Sequence, residues 1–360
     1  MRRAALAGLV LLGLIGGVLW LNQDRIASAV YLRMVTHAMR PDPLADVPDG
    51  LSVGICGSGS PLPDPTRAGP CTFVIAGRQV FEVDSGQGSA KVMQLMGVSP
   101  ARVDALFLTH YHSDHIADLG ELMLQHWAGG ASSRPLAIYG PQGLDQVVQG
   151  FEAAYQLDRG YRIAHHGPKV VPPSGFGAVT HVFNMAPDGP DQVLIDQPDL
   201  KVIAFPVDHR PVEPAVGYLF IYKDRRVVIS GDTAPSPRLQ AEAQGADILV
   251  HEALSPALVG LQRRAALAEG RWNVAQISHD ILSYHTSPEA AARIAAAAHV
   301  RMLVLTHIVP PIPNPIFNHV FLGDAPKVYS GPIRIARDGD LIELPAGTRQ
   351  IRVSRRLATY

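Results

Sequence analysis

Four residues of metal-ligand type crowd into Thr109-His110-Tyr111-His112-Ser113-Asp114-His115. Imidazole nitrogens and carboxylate oxygens are natural ligands of zinc and similar divalent ions. A tight turn can aim His110 and His112 at one ion while Asp114 and His115 face a second, so the spacing predicts a dinuclear centre. A lone histidine is usually a hydrogen-bonded surface or core side chain. A strand that ends in His-x-His-x-Asp-His is hard to explain by packing.

Something must carry that turn, and the apolar run Val103 to Leu108 just before it reads as a buried strand. Three more ligand-type residues follow strand-like runs in the same way: His209 after Val202 to Val207, Asp232 after Arg226 to Ser230, and His307 after Met302 to Thr306. Each would sit at a strand's C-terminal end, where a polar group reaches out of the core into a shared cleft. By itself Asp232 is as readily a turn residue or a helix cap. Beside the cluster it is a candidate bridge, giving one oxygen to each of two ions about 3.5–4 Å apart, whose shared water loses a proton near neutral pH and becomes the nucleophile.

The remaining pattern suits a loop-rich α/β chain, with 33 glycines and 30 prolines in 360 residues. Short β-rich runs occupy Leu51 to Cys56, Thr72 to Ala76, Gln79 to Val83, Pro135 to Tyr139, Gly217 to Tyr222 and Ile248 to Val250. Helical spacing marks Lys91 to Met96, Ile116 to Trp127, Gly143 to Tyr155, Leu239 to Gln244 and Ser287 to Ala298. Strands dominate each half with helices between them, which predicts a two-layer β core flanked by helices. At 47% hydrophobic and 18% charged the chain can bury a large core, and a formal charge of −1 gives no whole-chain basic footprint for nucleic acid.

Residues 1–22 carry a separate message. Arg2 and Arg3 precede Ala4 to Leu21, an uncharged run that as a helix would extend roughly 27 Å, about enough for a bilayer. This predicts a transmembrane signal anchor in a bacterial-type inner membrane, with the catalytic part periplasmic. The alternative is a signal peptide cleaved after Ala27-Ser28-Ala29, releasing the chain to the periplasm. A helical linker over 23–46, broken at Pro41-Asp42-Pro43, would lead to a catalytic domain over 47–350. Cys56 and Cys71, the two cysteines, read equally as a disulfide or as two buried thiols.

The cluster, the later His209, Gly231-Asp232-Thr233 and Thr306-His307 resemble, in order, the ligand motifs of the metallo-β-lactamase superfamily. More narrowly, the chain is similar to its ribonuclease Z and arylsulfatase-like branch. That similarity rests on Gly57-Ser58-Gly59-Ser60-Pro61, Asp84-Ser85-Gly86, Tyr139-Gly140-Pro141-Gln142-Gly143, Gly217-Tyr218, His251-Glu252-Ala253 and Tyr284-His285-Thr286-Ser287. The resemblance implies an α/β fold, a four-layer αββα sandwich with the site at one edge of its two sheets. It assigns His110, His112 and His209 to one zinc and Asp114, His115 and His307 to the other, with Asp232 between them and Asp84 holding a ligand histidine from behind. Manganese or iron could replace zinc. Asp114, His285 and Glu252 become the residues that carry the reaction: His285 protonates the leaving group and Glu252 orients it. An imidazolium held by a carboxylate suits that task near neutral pH. Read without the resemblance, His285 is equally a neighbour of the helix start at Thr286-Ser287-Pro288-Glu289.

One departure matters. Ribonuclease Z enzymes that process transfer RNA carry a long arm between the Gly-Tyr strand and the Gly-Asp-Thr motif, and here only Leu219 to Ser230 lie between them, with Lys223-Asp224-Arg225-Arg226 as a tight turn. The expected substrate is therefore a small or medium anionic ester, a phosphodiester or sulfate ester, with no tRNA; a homodimer is compatible with this. The alternatives are a ribonuclease Z-like endoribonuclease, a lactonase or β-lactamase-like hydrolase of a cyclic carboxylic substrate, and a zinc-dependent binding protein without turnover. His165, His166, His279 and His319 are expected in exposed loops outside the site.

Overall fold

A computed structural model of the chain describes residues 2–39 and 45–357. Two units divide the chain between positions 46 and 47. The first holds helices α1 (Arg2–Leu21) and α2 (Gln23–Ala38); the expected break at Pro41-Asp42-Pro43 lies outside the described residues. Among the described residues no helix is long and apolar enough to cross a membrane. This corrects the expected transmembrane anchor, and with it the inner-membrane attachment and the periplasmic placement.

The second unit is built on two sheets. One has the order β15-β14-β1-β2-β3-β4-β5-β6, with β1 Gly50–Gly57, β2 Cys71–Ala76, β3 Gln79–Val83, β4 Val103–Phe107, β5 Leu136–Pro141, β6 Ala178–Phe183, β14 Asp340–Pro345 and β15 Arg352–Arg355. The other runs β13-β12-β11-β10-β9-β8-β7, with β7 Gln192–Asp196, β8 Leu200–Pro206, β9 Val216–Tyr222, β10 Arg225–Ile229, β11 Ile248–Leu254, β12 Met302–Val309 and β13 Ile333–Ile335. Strands β3 to β6 are parallel, as are β10 to β13. Parallel strands covered on both faces read as near-continuous apolar runs rather than alternating ones, as the central strands β11 and β12 do. In β11, Ile248 and Val250 face the other sheet while Leu249 packs outward with Ala291 and Ala295.

Aromatic side chains join the sheets. Phe107 of β4 stacks on Tyr139 at 5.0 Å and meets Tyr218 and Phe220 edge-on at 5.4 and 5.7 Å. Full burial of a side chain this size stabilises by about 1.5–3 kcal/mol, so β4 is fixed firmly at the point where it delivers the histidine turn. Outside the sheets lie α3 (Ser89–Leu95), α4 (Ser113–Ile116), α5 (Leu119–Leu124), α6 (Leu144–His166), α7 (Pro237–Glu242), α8 (Pro256–Ala268), α9 (Trp272–Asp280), α10 (Pro288–Ala297), α11 (Asn318–Leu322) and α12 (Ala325–Val328).

Several boundaries differ from expectation. The helix foreseen over 116–127 is broken into α4, α5 and a π turn at Gln125–Gly129. Helix α6 runs well past Tyr155, so His165 and His166 end an exposed helix rather than lying in a loop. Cys56 and Cys71, on the paired strands β1 and β2, form a disulfide with Cα atoms 5.0 Å apart.

Candidate metal centre

Strand β4 ends at Phe107, and the chain then turns so that His110 and His112 leave the sheet and α4 presents Asp114 and His115. Two glycines make the close approach feasible. A Cβ on Gly86 would fall 2.5 Å from the Asp114 carbonyl oxygen, and one on Gly231, where φ is +61°, would fall 2.7 Å from the Val216 oxygen and 3.0 Å from Thr109. Gly231 therefore lets β10 bring Asp232 up against the turn.

All seven candidate ligands converge. His110, His112, His209 and Asp232 form one group able to hold an ion, and Asp114, His115 and His307 a second, the ligand atoms of each group lying within 4.8 Å of one another. Asp232 Oδ2 lies between them: 4.0 Å from His110 Nε2, 3.9 Å from His209 Nε2, 3.4 Å from His115 Nε2 and 3.3 Å from His307 Nε2. Asp114 Oδ2 is 3.3 Å from His307 Nε2 and 3.6 Å from His115 Nε2. His307 does not end its strand as expected; it sits within β12 at φ 47°, beside a register shift against β11. For a residue other than glycine that conformation is strained, by about 1–3 kcal/mol, and it turns the imidazole out of the ladder.

Outer contacts orient these rings. Asp84, itself at φ 59°, accepts from the Thr109 amide and hydroxyl at 2.8 Å each and meets His115 Nδ1 at 2.8 Å. The Thr109 hydroxyl is 3.0 Å from His110 Nδ1, and His209 Nδ1 is 3.1 Å from the Tyr284 carbonyl. Histidines that bind metals characteristically have their second ring nitrogen held this way. Thr109 and the Tyr284 carbonyl did not emerge from the sequence. A hydroxyl next to the histidine cluster could have signalled Thr109, but a backbone carbonyl has no sequence signature.

Burial pulls the His110 imidazole well below its usual range, with His115 adding to the effect, and burial lowers His112 and His209 as well. Three imidazoles thus stay neutral with lone pairs to offer. At His115, burial is outweighed by Asp232, Asp84 and Asp114, which hold the ring well above its usual value. At Asp232, burial is outweighed by His307 and His115, which hold the carboxyl well below. The buried carboxylates are balanced by protons on imidazoles, and metal binding displaces protons of this kind. His115 Nε2, Asp232 Oδ1 and His307 Nδ1 have no hydrogen-bond partner. Such orphaned buried groups cost about 1–3 kcal/mol each, and the donor set fits a pair of divalent ions.

His285 stands over the cluster, its ring 5.3 Å from that of His209 and 5.4 Å from that of His307. Its Nδ1 is 3.0 Å from Glu252 Oε1, and the same oxygen accepts from the Thr233 and Thr286 amides at 3.2 and 3.0 Å. Burial pulls this imidazole down, but Glu252 and Asp232 outweigh it and the ring is pushed up to about 9.

Residues 86–308 match the family described as the Beta-lactamase superfamily domain. The Ribonuclease Z of Mycobacterium sp. (strain KMS) is 40% identical over 263 residues, 73% of this chain and 85% of that protein. Among solved structures, the short form of human tRNase Z is similar with a TM-score of 0.59 at 22% identity, covering 82% of this chain and 99% of its own. The metallo-beta-lactamase fold protein YhfI from Bacillus subtilis gives 0.57 at 22% identity, over 81% and 99%. These two share the fold. The chain belongs to the metallo-β-lactamase superfamily, as one of its metal-dependent hydrolases. Its motifs and the mycobacterial relative agree with the ribonuclease Z-like branch.

Proposed function

We propose that this chain is a dizinc phosphodiesterase that hydrolyses RNA by ribonuclease Z-type chemistry. One observation carries the reading: an imidazole held by a buried carboxylate stands over a seven-ligand cluster, at 3.0 Å between His285 Nδ1 and Glu252 Oε1. A receptor that only binds has no use for a proton donor, and an activated carboxylic ring needs little help from one. The curated relatives named Ribonuclease Z favour RNA over a sulfate ester.

His110, His112 and His209 would hold one ion and Asp114, His115 and His307 the other, with Asp232 shared and Asp84 fixing His115. Zinc suits this mixture of imidazole and carboxylate, with manganese or iron as alternatives. The ions supply Lewis acidity, polarising the phosphoryl oxygens and activating water. Hydrolysis adds a water oxygen to phosphorus and breaks a P–O bond, and the departing alkoxide needs a proton. His285 Nε2 gives it, while Glu252 holds Nδ1 and keeps the ring turned toward the cluster.

A small anionic ester is the second reading, favoured by the β9–β10 hairpin. Its register pairs Tyr222 with Arg225, leaving Lys223 and Asp224 as the whole turn and no arm to grip a large RNA. Purified protein assayed on a 3′-extended RNA, a bis-aryl phosphodiester and an aryl sulfate decides between them. RNA and the phosphodiester are expected to be cleaved; turnover of the phosphodiester or the sulfate with the RNA left intact would overturn the proposal.

A further inference from the structure

Without an arm, an RNA chain needs another hold, and the structure offers a groove leading away from the cluster, lined near it by Asp64, Asp114 and Asp338 with Arg67 and Lys91 and farther out by arginines. Two cavities share the Thr66–Arg67 turn. The first, about 900 Å³, begins at Ser113 and Asp114 beside the metal cluster and passes Lys91. The second, about 610 Å³, continues past Arg334, Arg337 and Arg355. Not all of these cations are free. Arg334 is committed to Asp340 at 2.6 and 2.8 Å, and Arg67 leans on Asp64 at 3.5 Å and the Ala336 carbonyl at 3.4 Å. Among the described residues, Lys91, Arg337 and Arg355 have no carboxylate partner.

We infer that this groove, from Asp114 past Lys91 to Arg337 and Arg355, binds the phosphate backbone of single-stranded RNA beyond the scissile bond. The inference rests on the phosphodiesterase reading of the cluster. A chain whose formal charge is −1 leaves three unpaired cations along one track that starts at a candidate metal ligand. Their spread over two cavities suits a phosphate chain rather than one small anion, which would need its donors converging on a point. Arg337 and Arg355 lie outside the segment matched to the family, residues 86–308, and Arg355 belongs to the edge strand β15, paired with Asp340. The hold would thus come mainly from the segment over 337–355 rather than from an insertion between β9 and β10.

The test uses the full chain with Arg337→Gln and Arg355→Gln combined, measuring anisotropy of a labelled oligouridylate 12-mer across salt concentrations, alongside hydrolysis of bis-p-nitrophenyl phosphate. Both side chains reach solvent, and an Arg337→Lys/Arg355→Lys pair controls for shape. The Gln pair should weaken 12-mer binding about tenfold near 50 mM salt and flatten the slope of log K against log salt by about 1.4, two phosphate contacts' worth for a single strand. The Lys pair should restore most of both. An unchanged affinity and slope overturn the groove, as does an equal loss on the short ester. Wild-type protein that binds the 12-mer with this salt slope but hydrolyses neither substrate would instead refute the phosphodiesterase reading and leave the groove standing.

Discussion

Glu252→Gln should shift the pH dependence of catalysis without removing metal. Beside Glu252 the His285 ring is pushed up to about 9, so at about pH 8 roughly nine rings in ten carry the proton. The neutral amide removes the main charge that raises the ring, and burial then acts unopposed by it. A pKa at or below the ordinary value of about 6.5 leaves some 3% protonated at the same pH, a loss of roughly thirtyfold in the acid form. The sign follows: the acid form is present below the pKa, so the alkaline limb of kcat should move from about pH 9 down to about 6.5, with little change near pH 5.5. An alkyl phosphodiester should show the full effect, and a p-nitrophenyl ester, whose leaving group needs little protonation, much less. The assay is kcat against pH on both esters, with zinc content measured on the same samples. An alkaline limb that stays in place, or equal losses on the two esters with zinc retained, would refute His285 as the proton donor.

His285→Ala should retain its zinc yet lose about 10²–10⁴-fold in kcat on the alkyl ester; loss of zinc would make it a ligand. Asp84→Ala strips the partner from His115 Nδ1 and two donors of Thr109, and should weaken zinc affinity about 10–100-fold in chelator competition. Gly231→Ala must fit a Cβ 2.7 Å from the Val216 oxygen at positive φ, and should lower stability to urea by about 1–3 kcal/mol. Glu82 lies in the core, where burial, with Asp118 adding, pushes it from 4.5 up to about 8. Its contribution is fully present below 4.5 and lost as pH rises through about 8, by up to about 5 kcal/mol. The permanently neutral Glu82→Gln should therefore outlast wild type in denaturant at about pH 9 and match it near pH 4; a pH-independent difference would count against this.

The candidate ligand cluster was legible because its chemistry is local: His110, His112, Asp114 and His115 fall within one turn, and His209 and Asp232 follow apolar runs that are indeed strands. His307 was found for a partly wrong reason. Ile308 and Val309 continue β12 past it, so its exit from the ladder depends on a positive φ that no residue type announces. Glu252 and His285 come from separate elements and needed the resemblance, since alone each reads as strand interior or helix-cap neighbour. Strands β6 and β7 escaped notice because they are half exposed and lack a long apolar run. Helix α6 was cut short because its last turns are mostly exposed, with Leu157 and Tyr161 open to solvent. The Thr66–Arg67 turn and β15 are distant in sequence, so the groove exists only in the fold.

Metal counting on the purified full chain, by mass spectrometry after reloading with zinc and desalting, is the most direct test of the dinuclear centre. Wild type should hold about two equivalents, and Asp232→Ala, which removes the carboxylate between the two groups, should hold one or fewer and lose hydrolysis. Less than one equivalent in the reloaded wild type, or two equivalents retained by Asp232→Ala, would contradict a centre built on these seven residues.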